Sequence, residues 1–272
     1  MNKLTGLIGW LLVGGAAAWA TGTNEVPFRV GEKLTYQIFW GPFIGGRASL
    51  AVQGIEPVDG HDCYHLVAEA GTTGLADMLF HVKSVAESWL DVQELCTRRT
   101  RDDRTEGKRR YKSETIFDYE HQQATLTELP RNKKTITRLD HPVVDVISSL
   151  YYARTRPLAL ARKQVVLINA EGANYSVSFT PDRRKTIWLR PLGDIAALRI
   201  EPNPTLAIVA ANKGRMYFWV SDDYRKLPLL VVTDLRLGTA KLVLLKIEST
   251  NHAPDQSSRL AQTADPTQTV QR

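Results

Sequence analysis

The residues best equipped for chemistry stand on one short run. His61, Cys63 and His65 alternate, and successive strand residues point to opposite faces, so all three share a face if the run is a strand. Imidazole nitrogen and thiolate sulfur are zinc ligands, but the run offers no evident fourth ligand. The triplet reads as ordinary strand residues, and no metal is expected. Asp222 and Asp223 offer carboxylates to calcium, yet the alternating oxygen ligands and glycine of a calcium loop are missing. Ser221, Asp222 and Asp223 read instead as a turn whose side-chain oxygens bond nearby backbone. Nucleophile-elbow, zincin, P-loop and dinucleotide patterns are absent. The expectation is a protein with no catalytic residue and no cofactor, although dispersed serines and histidines can still meet in space.

Cys63 and Cys96 are the chain's two cysteines. In an oxidising compartment a bridge between them would be worth about 3–4 kcal/mol by chain entropy. Two buried free thiols are the alternative, and spacing alone leaves both open. The compartment is read from Met1–Ala20, where Lys3 precedes an apolar centre from Leu4 to Val13 and Ala18-Trp19-Ala20 forms a small-x-small cleavage site. This is a secretory signal peptide, and no membrane span is expected after its removal. Cleavage removes one basic residue from a net charge of +6. So mild a balance suits anionic envelope neighbours, and with no nucleic-acid motif beside it, nucleic acid is excluded as a partner.

The elements that must position these residues are mostly strands. From Lys213 to Glu248 lie three short runs, Met216–Val220, Leu227–Thr233 and Lys241–Glu248, each alternating or β-branched, with Gly238 suited to a tight loop. Leu34, Tyr36, Ile38 and Trp40 alternate with polar residues. After Gly41-Pro42 and Gly45-Gly46, Ala48, Leu50 and Val52 answer them in a hairpin. Further strands are predicted at 62–70 and 82–90, with a helical turn at 75–80 between them. Others follow over 97–128, 164–169, 175–180, 185–190 and 195–201, the charge-rich stretch through Arg98–Lys112 reading as a solvated hairpin face. Arg131, Lys133 and Lys134 place charge on an exposed edge. One segment breaks the pattern. Asp140 as cap, Pro142 in the first turn and Val143, Val146, Ile147, Leu150 and Tyr151 at helical spacing predict an amphipathic helix over 140–154, packed against the sheet.

The chain therefore divides into a signal peptide (1–20), a linker (21–27), a single antiparallel β domain (28–250) and a polar tail (251–272) expected to be disordered. The fold class is all-β and mainly antiparallel: a large curved sheet, half-barrel or barrel-like meander with one helix.

Four motifs, Gly31-Glu32-Lys33-Leu34-Thr35-Tyr36, Gly45-Gly46-Arg47-Ala48, Asp145-Val146-Ile147-Ser148-Ser149-Leu150-Tyr151-Tyr152-Ala153-Arg154, and Trp219-Val220-Ser221-Asp222-Asp223-Tyr224-Arg225-Lys226-Leu227-Pro228, occur in this order. With them the chain resembles the exported bacterial family known as domain of unknown function 3108 over residues 28–250. The resemblance implies an envelope protein of antiparallel β architecture with no assigned reaction, and it lends no catalytic residues. Its architecture is also similar to the curved-sheet lipoprotein carriers of the LolA and LolB type.

A large curved sheet carries many inward aromatics. Tyr36, Trp40, Trp89, Trp188 and Trp219 are the expected lining of a ligand site, making the protein a periplasmic or secreted binding module for an apolar or amphipathic envelope molecule such as a lipid. An assembly or structural factor contacting envelope proteins is the second expectation. A hydrolase or transferase acting on cell-wall or lipid substrates is the third.

Overall fold

The structure is a computed structural model that describes residues 26–203, 215–235 and 238–249. The expected signal peptide with its cleavage site and the polar tail lie outside the described residues.

The strands are β1 (Glu32–Trp40), β2 (Phe43–Val58), β3 (His61–Thr72), β4 (Val82–Asp91), β5 (Thr97–Glu106), β6 (Arg109–Asp118), β7 (Gln123–Leu129), β8 (Lys133–Arg138), β9 (Gln164–Ala170), β10 (Ala173–Leu189), β11 (Gly193–Pro202), β12 (Met216–Ser221), β13 (Pro228–Leu235) and β14 (Gly238–Ser249). Two helices, α1 (Leu75–Leu79) and α2 (Val146–Thr155), interrupt them. All strands join one 14-stranded antiparallel sheet in the order β8-β7-β6-β5-β4-β3-β2-β1-β14-β13-β12-β11-β10-β9. Every neighbouring pair but β1–β14 is adjacent in sequence or separated only by α1, so short turns set most of the registers.

The sheet does not close into a barrel, but it curls until its edges meet at one corner. Thr137 of β8 donates its hydroxyl to the carbonyl of Gly172 in the β9–β10 turn, and Asn174 Nδ2 donates to Arg138 O at 2.7 Å. The charge-bearing edge expected at Lys133 and Lys134 is β8, a terminal strand of the sheet. Val144 also forms a bridge with Ile168 of β9, while the carbonyl of its neighbour Val143 accepts from the N–H of Thr97 in β5. One short segment thus ties opposite halves of the sheet together.

The helix α2 lies in the concavity, against β3 and β4 on one side and β9 on the other. It begins later than the sequence suggests. Asp145, not Asp140, is the cap, accepting from Ile147 N at 2.8 Å and Ser148 N at 3.1 Å. The reason is that residues 143 and 144 are held extended by their sheet bonds and cannot join the first turn. The buried face also differs from the expected apolar stripe. Its buried residues are Ser148, Tyr151 and Arg154, while Ile147 and Leu150 stand half-buried.

One strand assignment changes for a related reason. Residues 175–189 form part of one long strand, β10, rather than two, because the sheet register shifts between Pro181 and Arg183. Proline lacks the ladder donor, and a bulge accommodates it without ending the strand. β2 likewise runs through Pro57 to Val58, with its own irregularity between Val52 and Gly54.

Buried apolar side chains gather in two main clusters. One joins Phe28, Leu66 and Leu90 to Tyr151 of α2 and to Ile168, Phe179 and Val220 from the other half of the sheet. The second contains Leu34, Tyr36, Leu189, Trp219, Leu229 and Leu244.

Candidate functional site: an apolar cleft under the helix

On β2, β3 and β4 the concave face carries unusually small side chains. Register places Tyr36 beside Ala48, Ala48 beside Ala70 and Ala70 beside Ser84; one step along, Leu50, Ala68 and Ala86 form the next row. Methyl groups do not reach α2, and a cleft of about 270 Å³ remains. Ile147 and Leu150 of α2 form one wall, and Tyr36, Phe218, Val231 and Leu242 form another. Ser49 and Glu69 also border it, but strand alternation turns their side chains to the other face, where Ser49 Oγ donates to Glu69 Oε2 at 3.3 Å. The surface offered inside is therefore almost wholly hydrocarbon. Tyr36 brings its ring to the cleft and commits its hydroxyl to Pro228 O at 2.9 Å; burial raises its pKa well above the ordinary value.

Of the five aromatics expected to line a site, only Tyr36 does so. Trp40 and Trp188 are 47% and 66% exposed, because both sit at strand ends where the sheet has no covering layer. Trp89 is buried, but on the opposite face from Leu90 and Ser88. His65 stacks on it with centroids 4.6 Å apart, Arg99 and Arg101 lie over its ring, and its indole N–H donates to Glu56 Oε2 at 2.8 Å. That bond, with the neighbouring His65, holds the Glu56 carboxyl below its usual range. Trp219 packs in the second cluster. Alternation tells which residues share a face, but not which face is concave, and no sequence signal marks four alanines on three strands as one wall.

The chemistry-bearing residues are engaged structurally. His65 faces Glu56 at 2.9 Å and Glu87 at 3.0 Å through its two ring nitrogens. His61 Nδ1 lies 3.2 Å from Asp91, so the triplet does not converge on one point with Cys63. Asp91, Glu94 and Cys96 do place ligand atoms within 4.8 Å of one another. The positive charge there is already supplied by Arg98, which bonds Asp91 at 3.0 Å and Glu94 at 2.8 Å. Burial pushes Asp91 up, but the N–H groups of Glu94 and Gln93 and the Arg98 guanidinium bring it below its usual range.

Cys63 and Cys96 are free, buried thiols rather than a disulfide. They flank Asp91, Cys63 as its register partner and Cys96 through its carbonyl, which accepts from Asp91 N at 2.8 Å. Burial pushes Cys63 up to about 12 and Cys96 up to about 11. Both are thus held as unreactive thiols. At the Ser221–Asp223 turn, Ser221 Oγ donates to Asp223 Oδ1 at 2.6 Å and accepts from Leu227 N at 2.8 Å, while Asp222 pairs with Arg184 at 2.6 Å.

The other recognisable motifs meet at the far end of α2. Arg154 is 3% exposed at its side chain and grips Glu32 with two bonds, of 2.6 and 3.0 Å. It also donates to Pro27 O and Arg225 O, at 2.8 and 2.9 Å, and lies over the rings of Phe28 and Tyr151. Three stretches of chain far apart in sequence are thus fixed by one guanidinium. Gly46 serves close approach: a Cβ there would stand 2.1 Å from Gly71 O.

The fold and site define an open, curled antiparallel sheet holding a helix over an apolar cleft, with no clustered catalytic groups among the described residues. The chain belongs to the family described as "Protein of unknown function (DUF3108)", which matches residues 35–245. No curated protein matches it significantly. Among solved structures it is similar to a β-barrel-like protein of domain of unknown function DUF1849 from Brucella abortus. That likeness has a TM-score of 0.52 at 6% identity and covers 82% of this chain and 98% of that one, which supports the fold. A Bacteroides fragilis protein of YmcC-like fold, 11% identical over 82% of this chain and 97% of that one, gives a TM-score of only 0.31.

Proposed function

We propose that the protein is a non-catalytic binding module of the bacterial envelope, exported by the signal peptide read in Met1–Ala20, and that its ligand is a single apolar chain or a compact apolar molecule. The observation that carries this is the cleft beneath α2. Its alanine-built wall exposes hydrocarbon where a packed sheet-and-helix interface would be filled by larger side chains. Its 270 Å³ lies just below the roughly 300–1,000 Å³ typical of small-molecule sites, so a lipid with several acyl chains does not fit inside. Affinity would come from burying apolar area, at about 25 cal/mol per Å².

The test is native mass spectrometry of protein purified from its own envelope, followed by solvent extraction of what travels with it. An apolar molecule should co-purify with the native chain. Ala86→Leu, which fills the cleft from β4, should release it and leave the urea midpoint unchanged or raised. If both forms carry the same adduct, or the native form carries none, the reading fails.

A further inference from the structure

The short helix α1 is turned inside out. Asp77 faces the sheet, accepting from Thr72 Oγ1 at 2.6 Å and contacting His81 Nδ1 at 2.8 Å, while none of the helix's residues is buried. Its apolar side chains point the other way: Leu75, Met78 and Leu79 are 78%, 84% and 87% exposed. A helix in water ordinarily does the reverse. Asp77 is locked in place by these bonds, which hold its carboxyl below the usual range. The outward apolar face is thus fixed by the fold.

The apolar surface continues beyond the helix. Thr73 N donates to Gly45 O at 3.3 Å, setting α1 beside the β1–β2 turn with its exposed Phe43 and Ile44. Contiguous exposed apolar patches of this kind mark interaction sites. On the other flank Gly107 N donates to His81 O at 2.7 Å, bringing the β5–β6 turn against Phe80. That turn carries Lys108 and Arg109, both exposed and without an acidic partner among the described residues. Arg47 and Lys83 stand exposed on the adjoining strands. The acids nearest the turn are engaged: Glu106 with Arg104, and Asp103 with Arg110.

We infer that this end of the sheet docks on a membrane surface containing anionic lipid: Leu75, Met78, Leu79 and Phe43 enter the headgroup boundary, while Lys108, Arg109, Arg47 and Lys83 meet the phosphates. An apolar face with a basic rim is the pattern of interfacial binding, in which shallow burial and electrostatic attraction act together. A protein partner would satisfy the apolar face alone; the basic rim favours lipid. The inference stands apart from the cleft reading, although the Tyr36–Ala48–Ala70–Ser84 row of the cleft lies only two residues along the strands from Gly46, Thr72 and Val82. A surface-docking tip beside an apolar cleft would let a ligand pass from bilayer to protein without crossing water.

The test uses the full chain with a nitroxide label at Met78→Cys and, as control, at Glu120→Cys in the β6–β7 turn at the opposite end of the strands; the native thiols are buried. Vesicles are phosphatidylcholine, alone or with about a quarter phosphatidylglycerol. On the mixed vesicles the position-78 label should become accessible to oxygen and shielded from an aqueous nickel chelate, and the position-120 label should stay aqueous. Lys108→Glu with Arg109→Glu should weaken insertion by about tenfold or more, and high salt should do likewise. A position-78 label that remains aqueous overturns the inference, as does one shielded without vesicles in a concentration-dependent way, which would make the patch a protein interface. Equal insertion into phosphatidylcholine alone overturns its anionic part. Ala86→Leu, with the tip unaltered, should insert its position-78 label as the native chain does; loss of that insertion would overturn the assignment of docking to the tip.

Discussion

The two faces of α2 meet the same sheet in opposite ways. Along one, Asp145, Ser148, Tyr151 and Arg154 recur every three residues. Asp145 accepts from Ser88 at 2.5 Å and Thr97 at 3.0 Å, Ser148 meets Ser88 at 2.6 Å, and Arg154 holds Glu32. Along the other, Ile147 and Leu150 look across a cleft at alanines. The recognisable Asp145–Arg154 run supplies both faces. The contrast teaches that bonded polar side chains fix the helix on one side, whereas the space available for a ligand is left on the other, where the facing strands carry side chains too small to fill it.

The sharpest way to break this contrast is at Arg154. Arg154→Met leaves Glu32 buried without its cation and should cost about 3–5 kcal/mol in a denaturation midpoint. Adding Glu32→Leu should recover most of that loss. Recovery would show that the pair specifies the position of the helix more than it stabilises the fold; a further loss would show the converse.

A smaller effect belongs to the open side. Asp102 continues the Leu50–Ala68–Ala86 row onto β5. Although its side chain still reaches water, protein surrounds it closely enough that burial, with Asp145 nearby, raises it to about 6 from the ordinary 3.8. An acid whose folded pKa is raised favours folding below its unfolded pKa. Its contribution is lost as pH rises between about 4 and 6, because the unfolded chain releases its proton first. Asp102→Asn should therefore raise the melting temperature above about pH 6, and not at pH 4. A uniform shift at both values would mean that the proton is not involved.

The smallest effect sharpens the bonded face. Tyr151 is buried, its hydroxyl has no hydrogen-bond partner among the described residues, and burial pushes it well above its usual range. Tyr151→Phe removes an unsatisfied polar atom while keeping the ring against Phe28, and should be neutral or stabilise by up to about 1 kcal/mol. A clear loss of stability in urea would show that the hydroxyl has a partner in solution.

How much of this was legible follows from what each signal encodes. Alternation in Leu34–Trp40 and Ala48–Val52 marks strands and their turn, so the antiparallel meander and its curl could be expected. It does not say how the sheet bends, and so it does not tell that Trp40 and Trp188 stand exposed or that Trp89 lies on the face opposite Leu90. The helix was visible, but its cap was misplaced because the sheet bonds of Val143 and Val144 come from strands far away in sequence. A ligand site with Tyr36 in its lining follows from the sequence, but its alanine wall does not. The wall depends on Ala48, Ala68, Ala70 and Ala86 coming into register, and each is unremarkable alone.

The strand order has a consequence for how the chain reaches this state. Every sheet neighbour lies close in sequence except β1 and β14, whose partners Leu34 and Ile247 stand at opposite ends of the described chain. The hairpins on either side can zip as soon as their residues are available, whereas this central seam must await β14 and bear the largest loop-closure entropy. Until then β1 is a bare edge, able to pair with another molecule. The slowest and most aggregation-sensitive event in folding is therefore expected at the middle of the finished sheet, and a synthetic β14 peptide added during refolding should suppress aggregation by capping that edge while slowing closure of the seam, because it occupies the place of the chain's own β14.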